Sequence, residues 1–241
     1  MTHQSNPRKL ALITGVFFVV TFVTSIGAAI LYIPALKAGY VTGGGADTRV
    51  LLGALFEVFL IIANIGSAVA LFPILKRQSE GLSLGYVTAR IIESTFIAVG
   101  IISVLAIVTM RHATGADAAS LTTIGKSLVA VHDWTFLLGP GFIVGIGNGL
   151  MLGYLMFRSG LVPRGMAMLG LIGGPLVCIS GIAVLFGAYK QFSPVSGVLT
   201  IPEFVWELSL GIYLIVKGFR PSPIVSDEEL PIVAAPARSA A

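Results

Sequence analysis

The residues most able to do chemistry are polar side chains that stand inside long apolar segments. Arg90 and Glu93 are the clearest pair, because they lie three residues apart in the stretch ARIIEST, in a segment with no other charge from 86 to 110. Side chains at this spacing share a helix face and can form an ion pair. The pair either pins its helix against other helices or supplies a charged group on a path for a solute or a proton. Asn64 and Asn148, near the middle of other apolar segments, are expected to hydrogen-bond between helices.

A second set of ionisable residues stands in or beside other apolar segments. Glu57, Glu207 and the adjacent His132 and Asp133 are candidates for an acidic vestibule that attracts a cation, an amine or a metal. The stretch TIPE, which ends at Glu203, is typical of a capping box with proline in the first turn, so we expect Glu203 at a helix start. A divalent ion could bind if these residues converged. Nothing in their spacing requires convergence, and we predict no metal site.

Recognisable catalytic motifs are absent from the sequence. It has no GxSxG and no HExxH pattern, and His132 is the only histidine near an apolar segment. His132 and Asp133 are adjacent, so they point to different faces of a helix. We therefore predict no catalytic residue and no cofactor, and the sequence leaves open whether the protein is an enzyme.

Long apolar segments must position these residues. Hydrophobic residues make up 56% of the chain and charged residues 11%, against about 25% charged residues in soluble domains. A helix of about 20 apolar residues crosses the hydrocarbon and satisfies its own backbone hydrogen bonds there. The sequence therefore predicts an all-α fold, a polytopic transmembrane helix bundle with six spans at residues 10–33, 50–75, 86–110, 136–157, 165–187 and 201–216.

Charge distribution predicts the orientation and the domain limits. Lys and Arg are more frequent on the side of both termini, so the positive-inside rule places both termini in the cytoplasm. We expect an N-terminal tail at 1–9, the transmembrane domain at 10–219 and a disordered cytoplasmic tail at 220–241. The net charge of +4 comes from scattered basic residues, which predicts a lipid bilayer and no nucleic acid as partner. Several aromatic residues are expected near the outer interface: Tyr32, Tyr40, Trp134, Tyr189 and Trp206.

The fourth span carries glycines four residues apart, at Gly141, Gly145, Gly149 and Gly153. Glycines at this spacing let another helix approach closely, either a neighbour in the same chain or a second copy in a homodimer. Pro140 should bend or break this helix and free backbone carbonyls. An amphipathic helix over residues 117–133 should lie on the outer surface and run into this span.

Three stretches also carry a family resemblance: ARIIES at the start of the third span, LFPILKR at the end of the second, and the hairpin YLMFRSGLVPRGMAMLGLIGG. Over residues 8–219 the chain resembles a bacterial family of six-helix integral membrane proteins catalogued only as a domain of unknown function. The resemblance implies a six-helix fold and a multi-pass location in the cytoplasmic (inner) membrane. It implies no site residue, because none is established for the family.

Three functions are compatible with this pattern. The first is a carrier of a small solute, an ion or a proton, with Arg90 and Glu93 on the cytoplasmic half and Glu57 and Glu207 on the outer half of one path. The second is an accessory protein that binds a lipid or another membrane protein through the glycine face and the amphipathic helix. The third and least favoured is a membrane-embedded enzyme that uses the outer acids. A cavity shared by Glu57, Glu93 and Glu207 would favour the carrier, and no motif identifies its ligand.

Overall fold

The computed structural model describes residues 6–225, apart from residues 38, 44 and 116. These described residues form helices and connecting segments, with no strand among them. In chain order the helices are α1 (Pro7–Tyr32), α2 (Asp47–Leu75), α3 (Glu80–Arg111), α4 (Ala118–Phe136), two π-helical segments (Leu137–Ile143 and Gly145–Leu152), α5 (Gly153–Ser159), α6 (Arg164–Leu185) and α7 (Pro194–Val216).

The predicted all-α architecture with six spans is confirmed. Six helical stretches are long and apolar enough to cross a membrane, and the fourth of them, Ala118–Ser159, consists of α4, the π-helical segments and α5. The chain is therefore a multi-pass membrane protein. Successive spans run in opposite directions, so both ends of the described chain and the connections at 76–79 and 160–163 share one side, here called the terminal side. The connections at 33–46, 112–117 and 186–193 share the other side, here called the distal side.

Helix starts follow the local capping signals. The side chain of Asn6 accepts a hydrogen bond from the Arg8 amide before α1, and that of Asp117 accepts one from the Ser120 amide before α4, both at 2.9 Å. The first turn of α7 is capped by Ser193, whose hydroxyl accepts from the Ser196 amide at 3.3 Å. The predicted capping role of Glu203 is wrong, because α7 begins at Pro194 and Glu203 lies well inside it.

The six spans form a ring in chain order. Each span packs against its neighbours in sequence, and α7 packs back against α1 to close the ring. Glycines allow this closure, because a Cβ atom added to Gly15 of α1 would lie only 2.7 Å from the carbonyl oxygen of Gly211 in α7. Farther toward the distal side, Phe22 and Phe204 meet edge to face with their ring centroids 4.9 Å apart.

A packed apolar core seals the ring on the terminal side. All six spans contribute buried residues to it, among them Phe18, Leu71, Tyr86, Leu155, Ala167 and Trp206. The end of the described chain covers this core: the Ser222 hydroxyl donates to the Ser159 carbonyl at 2.6 Å, and Ile224 and Val225 pack against the core. Packing thus extends to residue 225, beyond the domain limit we predicted, and residues 226–241 of the predicted tail lie outside the described residues.

An ion-pair network joins α2 and α3 on the distal side. Asp47, in the first turn of α2, pairs with Arg111 at the end of α3 and lies 2.9 Å from Nε2 of His112. The Tyr40 hydroxyl donates to the same carboxylate at 2.7 Å, and the guanidinium carbon of Arg111 lies 4.4 Å from the Tyr40 ring centroid. Burial raises the pKa of the Tyr40 phenol, and the positive charge of Arg111 partly offsets that rise.

The amphipathic helix predicted at 117–133 corresponds to α4, which runs into the fourth span as predicted. α4 continues without a break into the fourth span and packs against α3. Its buried residue Leu121 belongs to an apolar cluster with residues of α1, α2 and α3, and Gly125 lies close to Val41 of the first connection. Leu121 and Leu128 of its apolar stripe therefore pack within the protein, whereas Ile124 and Val131 are exposed.

Candidate ligand cavity

The ring of helices encloses a cavity of about 770 Å³ that all six spans line. It reaches from Asn64, Arg90 and Glu93 in the interior to the connection at 191–193 on the distal side, where Phe192 is largely exposed. The charged candidates from the sequence line this one cavity: Glu57, Arg90, Glu93, His132, Asp133 and Glu207, joined by Glu203. The structure thus brings together residues that four separate segments of the sequence supply.

At the interior end, Arg90 and Glu93 form the predicted ion pair. Nη1 of Arg90 lies 2.6 Å from Oε2 of Glu93, and Nη2 donates to the Asn64 side-chain oxygen. The Asn64 amide nitrogen donates in turn to Oε1 of Glu93 at 3.2 Å. Arg90 is only 3% exposed, because Glu93 and Asn64 hold its guanidinium in the interior.

Glu207 is held by the fourth span. The Asn148 side-chain amide donates to Glu207, and Nε1 of Trp206 donates to the Asn148 backbone carbonyl at 2.9 Å. These bonds confirm that Asn64 and Asn148 hydrogen-bond between helices. Trp206, expected at the outer interface, is instead fully buried in the core, because its indole N–H finds this carbonyl inside the bundle.

The buried carboxylate of Glu203 lacks hydrogen bonds within the described residues. Its side chain lines the cavity and is 3% exposed, yet neither carboxylate oxygen has a hydrogen-bond partner among the residues that the structure describes. A Cβ atom added to Gly149 or to Gly173 would lie 2.7 or 2.8 Å from Oε2 of Glu203. The carboxylate thus occupies a space between the fourth span and α6 that exists because both positions are glycine.

Near the distal end, Glu57 accepts a hydrogen bond from the Tyr32 hydroxyl at 2.8 Å. The Tyr32 ring meets the His132 ring edge to face, with centroids 5.7 Å apart. Nδ1 of His132 lies 3.6 Å from Oδ1 of Asp133, too far for a hydrogen bond. Although His132 and Asp133 are adjacent, both reach the cavity wall, so Glu57, His132 and Asp133 form its outer polar group.

The sequence model of the DUF4386 family, described as a domain of unknown function, matches residues 13–218. The chain belongs to the DUF4386 family. This membership confirms the predicted resemblance to a membrane protein family without an assigned activity. The matched residues include all the polar residues of the cavity. Neither a curated protein nor a solved structure matches the chain.

The fourth span of this DUF4386 chain packs against α6 through most of the predicted glycine face. A Cβ atom on Gly145 or Gly149 would collide with backbone atoms of Gly174, and Gly153 lies against the backbone near Leu171. Gly141 does not share this contact. It lines the cavity, and its nearest atoms are in its own span. A homodimer through the fourth span stays a prediction.

Pro140 changes the helix type instead of breaking the span. Around it the backbone forms π-helical hydrogen bonds, from the Val144 amide to Gly139 and from the Gly153 amide to Asn148. Proline removes one amide donor and the glycines relax the backbone, so the wider π-helix becomes accessible. As predicted, some carbonyls of this region accept additional bonds, notably that of Asn148 from Trp206.

Metal binding finds no support in the geometry. Within residues 6–225 as described, no three His, Cys, Asp or Glu side chains lie close enough to share an ion. The true position of Glu203 had a signal in the sequence, because Ser193 followed by Pro194 is itself a helix start. That signal places Glu203 and Glu207 together on one face of the helix interior.

Proposed function

We propose that the protein is a carrier that moves a small solute across the cytoplasmic membrane through the cavity. The observation that carries this proposal is the shared cavity of Glu57, Glu93 and Glu207, which come from three different spans. Ionisable residues that only fastened neighbouring helices would face separate contacts. Charged residues inside a membrane are energetically costly. When several of them line one cavity, they mark that cavity as a path for a solute.

The closed terminal side also supports a carrier. A carrier exposes its site to one side of the membrane at a time, so each of its states needs a seal. Here the cavity reaches the distal side, and the apolar core around Phe18, Leu71 and Trp206 blocks the terminal side. With both termini in the cytoplasm, as the Lys and Arg distribution favours, this arrangement corresponds to an outward-open state.

Cysteine accessibility tests the proposal without knowledge of the solute. In a Cys178→Ala background, Thr200→Cys places a thiol on the cavity wall and Ser67→Cys places one in the sealed terminal half. We expect a membrane-impermeant maleimide to label Thr200→Cys in intact cells. We expect it to label Ser67→Cys slowly and only in inverted vesicles, since the seal must open to the cytoplasm in the second state. Ile102→Cys, on the outer surface of α3, is the unlabelled control.

Two results would contradict the proposal. If Ser67→Cys resists the reagent from both sides while Thr200→Cys reacts, the seal is permanent and the protein binds its ligand without carrying it. If Thr200→Cys reacts in inverted vesicles and not in intact cells, the proposed orientation is reversed.

A further inference from the structure

We propose that the solute is a protonated amine, and that Glu203 together with Glu207 binds its ammonium group while the apolar part of the solute fills the rest of the cavity. This inference rests on the proposed function in one respect: the cavity must be a solute site. It adds the chemical class of the solute and the residues that recognise it.

Around Glu203, three buried hydrogen-bond acceptors have no donor among the described residues. Both carboxylate oxygens of Glu203 and the side-chain oxygen of Asn148 are buried and lack a donor among the described residues. Asn148 in turn donates to Glu207, and a Cβ atom on the next residue, Gly149, would lie 2.7 Å from Oε2 of Glu203, so the three residues are neighbours. A buried carboxylate without a partner is among the most costly groups in a protein. Acceptors without donors are matched by a ligand that carries several N–H donors and a positive charge.

The protein's own cation on the cavity wall, Arg90, is already paired with a carboxylate, although its buried Nε has no hydrogen-bond partner among the described residues. The two terminal nitrogens of Arg90 bond to Glu93 and Asn64. Glu57 is bonded to the neutral Tyr32 hydroxyl and Glu207 to a neutral amide. The cavity wall therefore carries several acids and a single arginine among the described residues. Its charge is complementary to a cation.

The Glu203 carboxylate is held in a fixed position by its packing against neighbouring glycines. Glu203 lies inside α7, directly after Pro202, and its carboxylate packs against glycines of two neighbouring spans at which even a Cβ atom would collide with it. A side chain confined by Gly149 and Gly173 has little rotamer freedom left to lose when it binds a ligand. A confined partner increases affinity because less conformational entropy is lost on binding.

The size and lining of the cavity favour an organic ammonium over an alkali ion. Its volume of about 770 Å³ falls within the range of about 300–1,000 Å³ that is typical of small-molecule sites. Much of its wall is apolar or aromatic, including Phe22, Phe136, Val177, Ile201 and Phe204. Aromatic ring faces attract cations and also accommodate hydrocarbon. An alkali ion would leave nearly all of this wall without a contact.

The test uses 2-phenylethylamine with two analogues of similar shape, neutral 2-phenylethanol and anionic 3-phenylpropanoate. Binding to the detergent-purified full-length chain is measured by thermal unfolding and by Trp206 fluorescence in a Trp134→Phe background, since Trp206 lies one residue from Glu207. We expect only the amine to raise the melting temperature and to change the fluorescence. Glu203→Gln and Glu207→Gln should each weaken its binding by about tenfold or more. The exposed Glu80→Gln is the matched control.

Several outcomes would overturn the inference: equal stabilisation by the neutral alcohol, unchanged amine affinity in Glu203→Gln, or the full stabilisation with sodium or potassium chloride alone. Glu203→Gln also has a ligand-free prediction. Because the carboxylate has no hydrogen-bond partner within the described part of the chain, the variant should melt at or above the wild-type temperature. Early melting would reveal a structural partner for Glu203 and would also refute the assignment.

The two proposals fail in distinguishable ways. Amine binding that depends on Glu203, combined with a Ser67→Cys that no reagent reaches, would keep the binding site and remove the carrier. Ser67→Cys labelled from inside, combined with no amine binding, would keep the carrier and remove the amine.

Discussion

Replacing Glu93 by glutamine should destabilise the protein, because it leaves Arg90 charged and buried without its counter-ion. Glu93 contacts Nη1 of Arg90 at 2.6 Å, and Asn64 bonds to both side chains. Glutamine keeps the shape and one acceptor oxygen, so the arginine retains a neutral hydrogen bond in place of a charged one.

The magnitude follows from these contacts. Removing one partner of a buried pair costs about 3–5 kcal/mol, and the hydrogen bond that glutamine can still accept returns about 1 kcal/mol. We therefore expect a loss of about 2–4 kcal/mol in the free energy of unfolding. At about 2–4 °C per kcal/mol for a chain of this size, the melting temperature should fall by roughly 4–16 °C.

The measurement is thermal unfolding of detergent-purified protein, with the single variants Glu93→Gln and Arg90→Met and the double variant. If the residues interact as a pair, the double variant should be more stable than the sum of the single losses predicts. Glu80→Gln, an exposed change on the same helix, should stay within about 0.5 kcal/mol of the wild type. Strictly additive losses, or a Glu93→Gln that melts with the wild type, would refute the reasoning.

Two further perturbations test the packing. Gly174→Ala should cost about 1–3 kcal/mol, because its Cβ would lie 2.5 Å from the carbonyl oxygen of Gly145. Gly165→Ala in the same helix meets nothing within 4 Å and should be neutral or stabilising in the same melting assay; equal losses in both variants would contradict the close contact. Asp47→Asn should lower stability by about 1–2 kcal/mol, because it removes the carboxylate that pairs with Arg111. An unchanged melting temperature would show that this network adds nothing.

Local sequence patterns predicted the ion pair of Glu93 but not the environment of Glu203. The Arg90–Glu93 pair was predictable because spacing along one helix determines which side chains share a face. The environment of Glu203 was not, because it depends on glycines in two other spans. A local pattern suggested a helix cap for Glu203, and the earlier start of α7 at Pro194 removed that role.

Tertiary structure likewise decided the positions of Trp206 and α4. Amphipathic character predicted that both would lie near a membrane interface, since indole rings and apolar stripes are favourable there. In the structure, Trp206 donates a hydrogen bond to the Asn148 carbonyl inside the bundle, and α4 packs one face against α3. These side chains can pack or hydrogen-bond within the protein as well as at a membrane interface. The sequence of one segment does not show which other segment will be its packing partner.

The sequence by itself determined the number of spans, the all-α fold and the acidic, arginine-containing character of the interior. These properties follow from local rules, because a backbone in hydrocarbon must bond within its own helix and needs a fixed length of apolar residues. Only the tertiary structure decided that the buried charges share one cavity and that the Glu203 carboxylate in it has no hydrogen-bond partner among the described residues. Those properties depend on which helix faces meet across the ring, and that choice is made by close packing between segments far apart in the chain.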